Sequence, residues 1–209
     1  LTDVSAEGLE RAAEALRAQG TSCFIVPADL SLDSQISKLA SEVSERCPRL
    51  DVLINNAGLA YGEIAHSFAT LNQSQWLSYF AINTVAPLLL AKALRAPLAA
   101  AHGVVLNISS MASYMPGTAY GVTKAALNAM TYGMASAFGS DGIRVNAIAP
   151  GLMETPAARS NLPPGTFERI QAQQMLNLPG DARDVAELAL FLASEAARFI
   201  TCEVISCDA

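Results

Sequence analysis

The sequence predicts an α/β fold, a doubly wound parallel sheet with helices on both faces. Three observations carry this. Short apolar runs alternate with helix-patterned segments along the 209 residues. The runs are continuously apolar, as strands buried on both faces are, with right-handed crossovers expected between them. Short polar clusters follow predicted strands: Asn55-Asn56-Ala57-Gly58, Ser109-Ser110 and Pro150-Gly151. Those positions are the carboxyl ends of strands, where open α/β sheets bind ligands.

The elements follow in order. Ala6 to Gly20 is rich in Ala and Glu and ends in a glycine at a C-cap position, a helix. Ser22 to Pro27 is a short apolar run stopped by proline, a strand. A second helix starts at Ser31, with Ile36, Leu39, Ala40 and Val43 at helical spacing. Val52 to Ile54 is the next strand, and helical sequence fills Gln73 to Ala101. Val104 to Ser109 is a strand, Thr118 to Phe138 a long helix, and Ile143 to Gly151 a strand ended by Pro-Gly. Asp184 to Ser194 is a helix and Glu203 to Ser206 a last strand. Met153 to Asp181 is the one long irregular segment, of a length associated with lids. There is no internal repeat or linker, so residues 1–209 read as one domain with one core.

Composition narrows the class of function. Net charge is -6, with 52% hydrophobic and 15% charged residues. This describes a globular chain without the basic patch that nucleic acid or an anionic membrane rewards. Cys23, Cys47, Cys202 and Cys207 have no CxxC spacing, which favours free thiols in a reducing, cytoplasmic compartment. His66 and His102 lie far apart and read as surface or loop histidines, so no metal site is expected. Lys92 and Arg95 interrupt the apolar stretch Thr84 to Ala101, which reads as a packed helix and not a membrane span.

Tyr120 and Lys124 lie four apart at the start of a helix, hence on one face. Such a pair occurs by chance in many helices, and its neighbours decide its meaning. Here the pair is preceded by NNAG at 55–58, by the Asn of INT at 83 and by ISS at 108–110. It is followed by VNAIAPG at 145–151, with Thr155 beyond. In this order the set resembles the short-chain dehydrogenase/reductase family, over nearly the whole chain. The resemblance implies a Rossmann-like three-layer sandwich and an NAD(P)-dependent oxidoreductase interconverting a secondary alcohol and a ketone. It also implies a catalytic tetrad of Asn83, Ser110, Tyr120 and Lys124.

The chemistry fits those residue types. A free phenol, pKa about 10, is a weak base at neutral pH. A neighbouring ammonium favours the phenolate. Tyr120 is then the general acid/base, and Lys124 lowers its pKa and holds the nicotinamide ribose. By the resemblance Ser110 would orient the substrate oxygen, and Asn83 would hold a water that links Lys124 to solvent as a proton relay. Ser110 lies ten residues before Tyr120, about three fewer than the family spacing, so Ser109 or Ser113 remains an alternative.

By the same resemblance Asn55, Ala57 and Gly58 border the cofactor. Tyr120, Lys124, Pro150, Gly151 and Thr155 surround its nicotinamide half, and Asp29 neighbours the adenine. Asp3 would close a strand and accept the adenosine ribose hydroxyls. An acidic residue there repels a 2′-phosphate and favours NAD over NADP; an N-terminal surface Asp is the alternative. The family's TGxxxGIG turn has no match, so an N-terminally truncated or unusual member is expected, lacking the first strand and Gly-rich turn. A catalytically silent relative acting as a binding module is therefore the second functional reading. Partners expected are a small alcohol or ketone and further copies of the chain, as homodimer or homotetramer.

Overall fold

The computed structural model describes residues 1–66 and 68–209, with the side chains of Glu63 and His66 outside the description. The N-terminal helices are α1 (Ala6–Ala18) and α2 (Asp33–Arg46), leading to strand β1 (Val52–Asn55). Then come the short α3 (Glu63–His66), α4 (Gln73–Phe80), α5 (Ala86–Ala93), α6 (Arg95–Ala101) and strand β2 (Val104–Ile108). The second half holds α7 (Ala119–Phe138), β3 (Arg144–Pro150), α8 (Pro156–Asn161), α9 (Thr166–Gln171), α10 (Ala182–Ala193) and β4 (Val204–Cys207). The four strands form one parallel sheet in the order β1-β2-β3-β4.

Alternation along the strands feeds two cores. Val105 and Val145 face one side, packing with Leu94 and Leu98 beside α5 and in α6, and with Met134 and Phe138 of α7. Val104, Leu106 and Ile148 face the other side, against Leu192 of α10. Sheet with helices on both faces is the architecture the sequence predicts.

The stretch Gln73 to Ala101 departs from a single helix. A π-helical turn, Ala81–Val85, separates α4 from α5, and the axis bends by 64° before α6. Single π turns inside helices concentrate at functional sites, and this one carries Asn83. No single helix among the described residues is long and apolar enough to cross a membrane. The segment Met153 to Asp181 holds more regular structure than expected, with α8, α9 and a parallel bridge from Met153 to Gly180.

The run Ser22 to Pro27 forms no strand of the sheet. The Leu1 amino group donates to the Phe24 carbonyl (2.8 Å), Val26 N–H to Leu1 O (2.9 Å) and Ala28 N–H to Asp3 O (3.1 Å). Leu1 to Asp3 and Phe24 to Ala28 thus run side by side in a short parallel ladder, detached from β1. An apolar slot of about 540 Å³ separates that ladder from β1. Its walls include Thr2, Val26, Leu39, Leu53, Asn55 and Leu90. A strand joins a sheet only through an edge that pairs with it, and here the sheet side of the ladder faces the slot. Ile54, mid-strand in a parallel sheet, is 51% exposed for a related reason: no described helix covers that face of β1.

Candidate active site

The slot reaches the carboxyl end of β1, and a cleft of about 560 Å³ opens at the mouth of α7. Ser110, Tyr120, Gly151 and Thr155 line the cleft, together with lid residues from α8 and α9. Thr118 caps α7, its hydroxyl accepting from Gly121 N–H (3.1 Å), so Tyr120 is the second residue of the helix and sits at its mouth. Gly121 permits the approach of the loop after β2. A Cβ there would lie 2.6 Å from the Ala112 carbonyl, closer than packed atoms tolerate. That approach brings Ser110 against Tyr120.

The three serines separate by environment. Ser109 is buried and donates to Asn128 Oδ1 (2.5 Å). Ser113 is buried, accepts from Asn128 Nδ2 (2.9 Å) and donates to the Ser110 carbonyl (2.6 Å). Both fasten the loop to α7. Ser110 alone of the three lines the cleft, as Tyr120 does, and its Oγ accepts from Ala112 N–H (3.1 Å).

Burial pushes the Tyr120 phenol above its ordinary value, against the polar Ser110 side chain nearby, which lowers it. Nearby Tyr61 adds to the rise. Burial also lowers the Lys124 ammonium, to about 8. Lys124 Nζ lies 5.7 Å from the Tyr120 ring centroid and donates to the Ile108 carbonyl (2.6 Å). In this geometry desolvation outweighs whatever the ammonium does for the phenolate.

Asn83 is fully buried, and its side chain is engaged on every side. Its Oδ1 accepts from Leu59 N–H (2.7 Å), and its Nδ2 donates to Leu59 O (2.9 Å) and Thr123 Oγ1 (3.0 Å). It therefore clamps the loop after β1 to α7, directly beside Lys124. A water-holding role for its side chain has no free N–H to work with.

The cofactor candidates fall into separate places. Asp3, Asn55 and Ala57 line the slot, while Tyr120, Gly151 and Thr155 line the cleft. Gly58 lies near Lys124, where a Cβ would be 3.6 Å from Nζ. Pro150 and Asp29 line neither cavity. Pro150 ends β3 in register with Cys207. Asp29 Oδ1 accepts from the Ser31 N–H (2.9 Å) and hydroxyl (2.7 Å), which hold its carboxyl below the usual range. Gly151 is required by the end of β4 and not by open space: a Cβ would lie 2.8 Å from Asp208 Cα. The Thr155 hydroxyl accepts from Ala158 N–H (3.1 Å) and caps α8.

Several participants carry no legible sequence signal. Tyr61 and Arg169 reach the cleft from distant segments. A buried chain of amides and a hydroxyl crosses the sheet: Asn55 Nδ2 donates to Asn107 Oδ1 (2.8 Å), and Asn107 Nδ2 to Thr131 Oγ1 (2.9 Å). At its slot end Asn55 Oδ1 is buried without a partner among the described residues, as is Thr2 Oγ1 on the opposite wall. Among the described residues no group of three or more His, Cys, Asp or Glu could hold a metal ion. His102 is a left-handed C-cap of α6, and the four cysteines are unpaired.

Parallel sheet, helix-mouth Tyr and Lys, and a serine beside the Tyr define an oxidoreductase class. The family profile described as Enoyl-(Acyl carrier protein) reductase matches residues 1–209, and the chain belongs to the short-chain dehydrogenase/reductase family. Protein FixR of Bradyrhizobium diazoefficiens is 36% identical over 83% of this chain and 64% of its own length. Cis-4-hydroxycyclohexanecarboxylate dehydrogenase of Sinomonas cyclohexanicum is 31% identical over 97% of this chain and 82% of its own length. Among solved structures, a 7 alpha-hydroxysteroid dehydrogenase complexed with NADH and 7-oxo glycochenodeoxycholic acid superposes with a TM-score of 0.92. It is 25% identical, and the match covers 100% of this chain and 82% of that one. A blue fluorescent protein from a metagenomic library, in complex with NADPH, gives 0.85 at 26% identity, covering 99% and 84%. The chain thus spans just under two thirds of the first of these relatives and about four fifths of the others.

The residues present fit the ends of a nicotinamide dinucleotide better than its middle. Lys124 and Tyr120 offer donors of the kind a ribose needs, and Asp3 offers a carboxylate at the slot. No Gly-rich turn opening a helix, the usual pyrophosphate cradle, occurs among the described residues.

Proposed function

We propose that the cleft interconverts a secondary alcohol and a ketone, with Tyr120 as general acid/base. The observation that carries this is the placement of Ser110 and Tyr120 together at the mouth of α7, both lining an otherwise largely apolar cleft. The nicotinamide cofactor supplies the hydride acceptor or donor. Tyr120 takes or gives the proton at the substrate oxygen, and Ser110 fixes that oxygen within reach of the phenol. Lys124 holds the ribose hydroxyls while its charge stabilises the phenolate. Asn83 is a positioning residue that keeps the loop at Leu59 and the turn at Thr123 in place around Lys124. The hydroxy and oxo ligands in the names of two relatives are of the same reaction class. Absorbance of the reduced cofactor, followed over a panel of alcohols and ketones on a chain that binds the cofactor, tests it; silence across the panel would favour a non-catalytic binding module.

NAD is the cofactor proposed in preference to NADP, on Asp3. Its Oδ1 accepts from Ser5 N–H (2.8 Å) and caps the turn into α1. Serine retains that kind of turn bond, so Asp3→Ser separates charge from fold. The substitution should raise NADP binding relative to NAD by about 1–3 kcal/mol, the magnitude of one hydrogen-bonding interaction with a charged group. An unchanged ratio in competitive titrations would place Asp3 away from the ribose.

The chain is proposed to assemble as a homodimer or homotetramer in the cytoplasm, where its unpaired thiols stay reduced. Ala91, Leu98 and Ala135 of α5–α7 are taken up by the chain's own core, while Ala93, Ala96, Ala100, Ala129 and Ala137 face outward. Leu77, Val85 and Tyr132 are exposed as well, as are Leu190 and Phe199 near the C-terminus. Fractionation and light scattering check compartment and assembly; a monomer at micromolar concentration contradicts the second.

A further inference from the structure

The lid carries two arginines with different surroundings. Arg159 of α8 is ion-paired with Glu154, and its guanidinium stacks 4.2 Å from the Phe167 ring centroid. Both its charge and its planar face are occupied within the lid. The guanidinium of Arg169, in the last turn of α9, forms no ion pair or hydrogen bond with any described residue, yet Arg169 lines the cleft. It is the single charged side chain among the described residues lining that cleft. The rest of the wall is apolar or hydroxylic: Met111, Leu152, Leu162 and Ile170 on one hand, Thr118 and Thr166 on the other.

A helical arginine on a surface is ordinarily a solubilising charge, and the last turn of a helix is a favourable place for one. Two features set Arg169 apart. It borders the cavity that holds the Ser110–Tyr120 pair, and no acidic side chain among the described residues lines that cavity to neutralise it. The whole chain carries a net charge of -6, so its long-range field repels anions. A guanidinium beside an apolar cleft reverses that locally, and its planar fork matches a carboxylate with two parallel N–H···O bonds.

We propose that the substrate is an apolar ketone or secondary alcohol with a carboxylate remote from the reacting carbon, and that Arg169 receives the carboxylate. This rests on the alcohol/ketone reading of the cleft. The apolar wall takes the body of the molecule, Ser110 and Tyr120 the reacting oxygen, and Arg169 the opposite, charged end. Orientation in the cleft is then fixed at two points, which sets which carbon faces the phenol.

The test is ligand-observed NMR titration of 8-oxononanoate and of its primary amide, 8-oxononanamide, against the 209-residue chain at low salt. The acid should bind about three- to tenfold more tightly than the amide, the range of a partly exposed charge pair. Added salt should erode the difference. Arg169→Gln should abolish it, and Arg169→Lys should retain part of it. Equal affinities, a preference for the amide, or no binding of either would overturn the proposal, as would a preference that survives Arg169→Gln. Turnover with reduced cofactor is scored separately, on a chain shown by titration to bind NAD. Charge-selective binding without turnover leaves Arg169 as the anion-binding group and counts against the oxidoreductase reading. Turnover of both ligands without selectivity does the reverse.

Discussion

Tyr120→Phe should lower turnover roughly 10²- to 10⁴-fold, the range supplied by a positioned acid/base group, while leaving the melt unchanged. The ring stays and only the hydroxyl goes, from a side chain that lines the cleft alongside Ser110. Wild type should show a matching pH dependence. Ketone reduction requires Tyr120 protonated and Lys124 charged. Burial raises the phenol, so it stays protonated past neutrality. Lys124, lowered to about 8, loses its charge first. Reduction should therefore be flat below about pH 8 and fall above it, and Lys124→Met should remove that limb together with some cofactor affinity. Near-normal turnover in Tyr120→Phe would sink the acid/base assignment. Because cofactor binding has a structural requirement of its own, the comparison is made on a chain that binds NAD.

How much of this was legible in the sequence depended on the range of the interaction involved. Val104 to Ile108 and Arg144 to Pro150 announced themselves, because a strand buried on both faces is apolar at nearly every position. The mouth of α7 was equally plain: Thr118 is a side-chain cap, and Tyr120 and Lys124 follow at fixed spacing. Phe24 to Ala28 has the composition of a strand, but a strand is a relation between neighbours, and composition cannot report that the neighbour is a slot. The helix Gln73 to Ala101 was legible as helix and not as broken, since a π turn leaves no residue signature. Choosing among Ser109, Ser110 and Ser113 turned on Asn128, a residue fifteen or more positions away whose amide engages two of them. Arg169 could not have been picked from the lid by type, since Arg159 stands ten residues before it. Only the ion pair with Glu154 and the stack on Phe167 distinguish the two.

The slot leads to the largest expected effect on the chain as a whole. Its two walls, the Leu1 to Asp3 segment and β1, are parallel strand edges facing one another across apolar space. Thr2 makes no backbone hydrogen bond with a described residue, and Thr2 Oγ1 and Asn55 Oδ1 are buried without partners among the described residues. Each unsatisfied buried group costs about 1–3 kcal/mol. Ile54, half exposed, forgoes part of the roughly 1.5–3 kcal/mol that covering such a side chain contributes. One more parallel strand would pair both edges, and the helix following it would cover Ile54. A Gly-rich turn between them would place backbone N–H groups at a helix N-terminus beside Asn55 and Ala57, donors of the kind a pyrophosphate takes. Placing such a strand–turn–helix unit of about 35 residues ahead of Leu1 should raise the melting temperature and make the transition cooperative. It should also bring NAD affinity into the micromolar range. The 209-residue chain by itself should bind NAD weakly and aggregate, since open strand edges recruit other chains. Calorimetry on both chains decides the matter. A cooperative melt with micromolar NAD affinity from the 209-residue chain alone would mean that the slot closes in some other way and that the cofactor site does not depend on it.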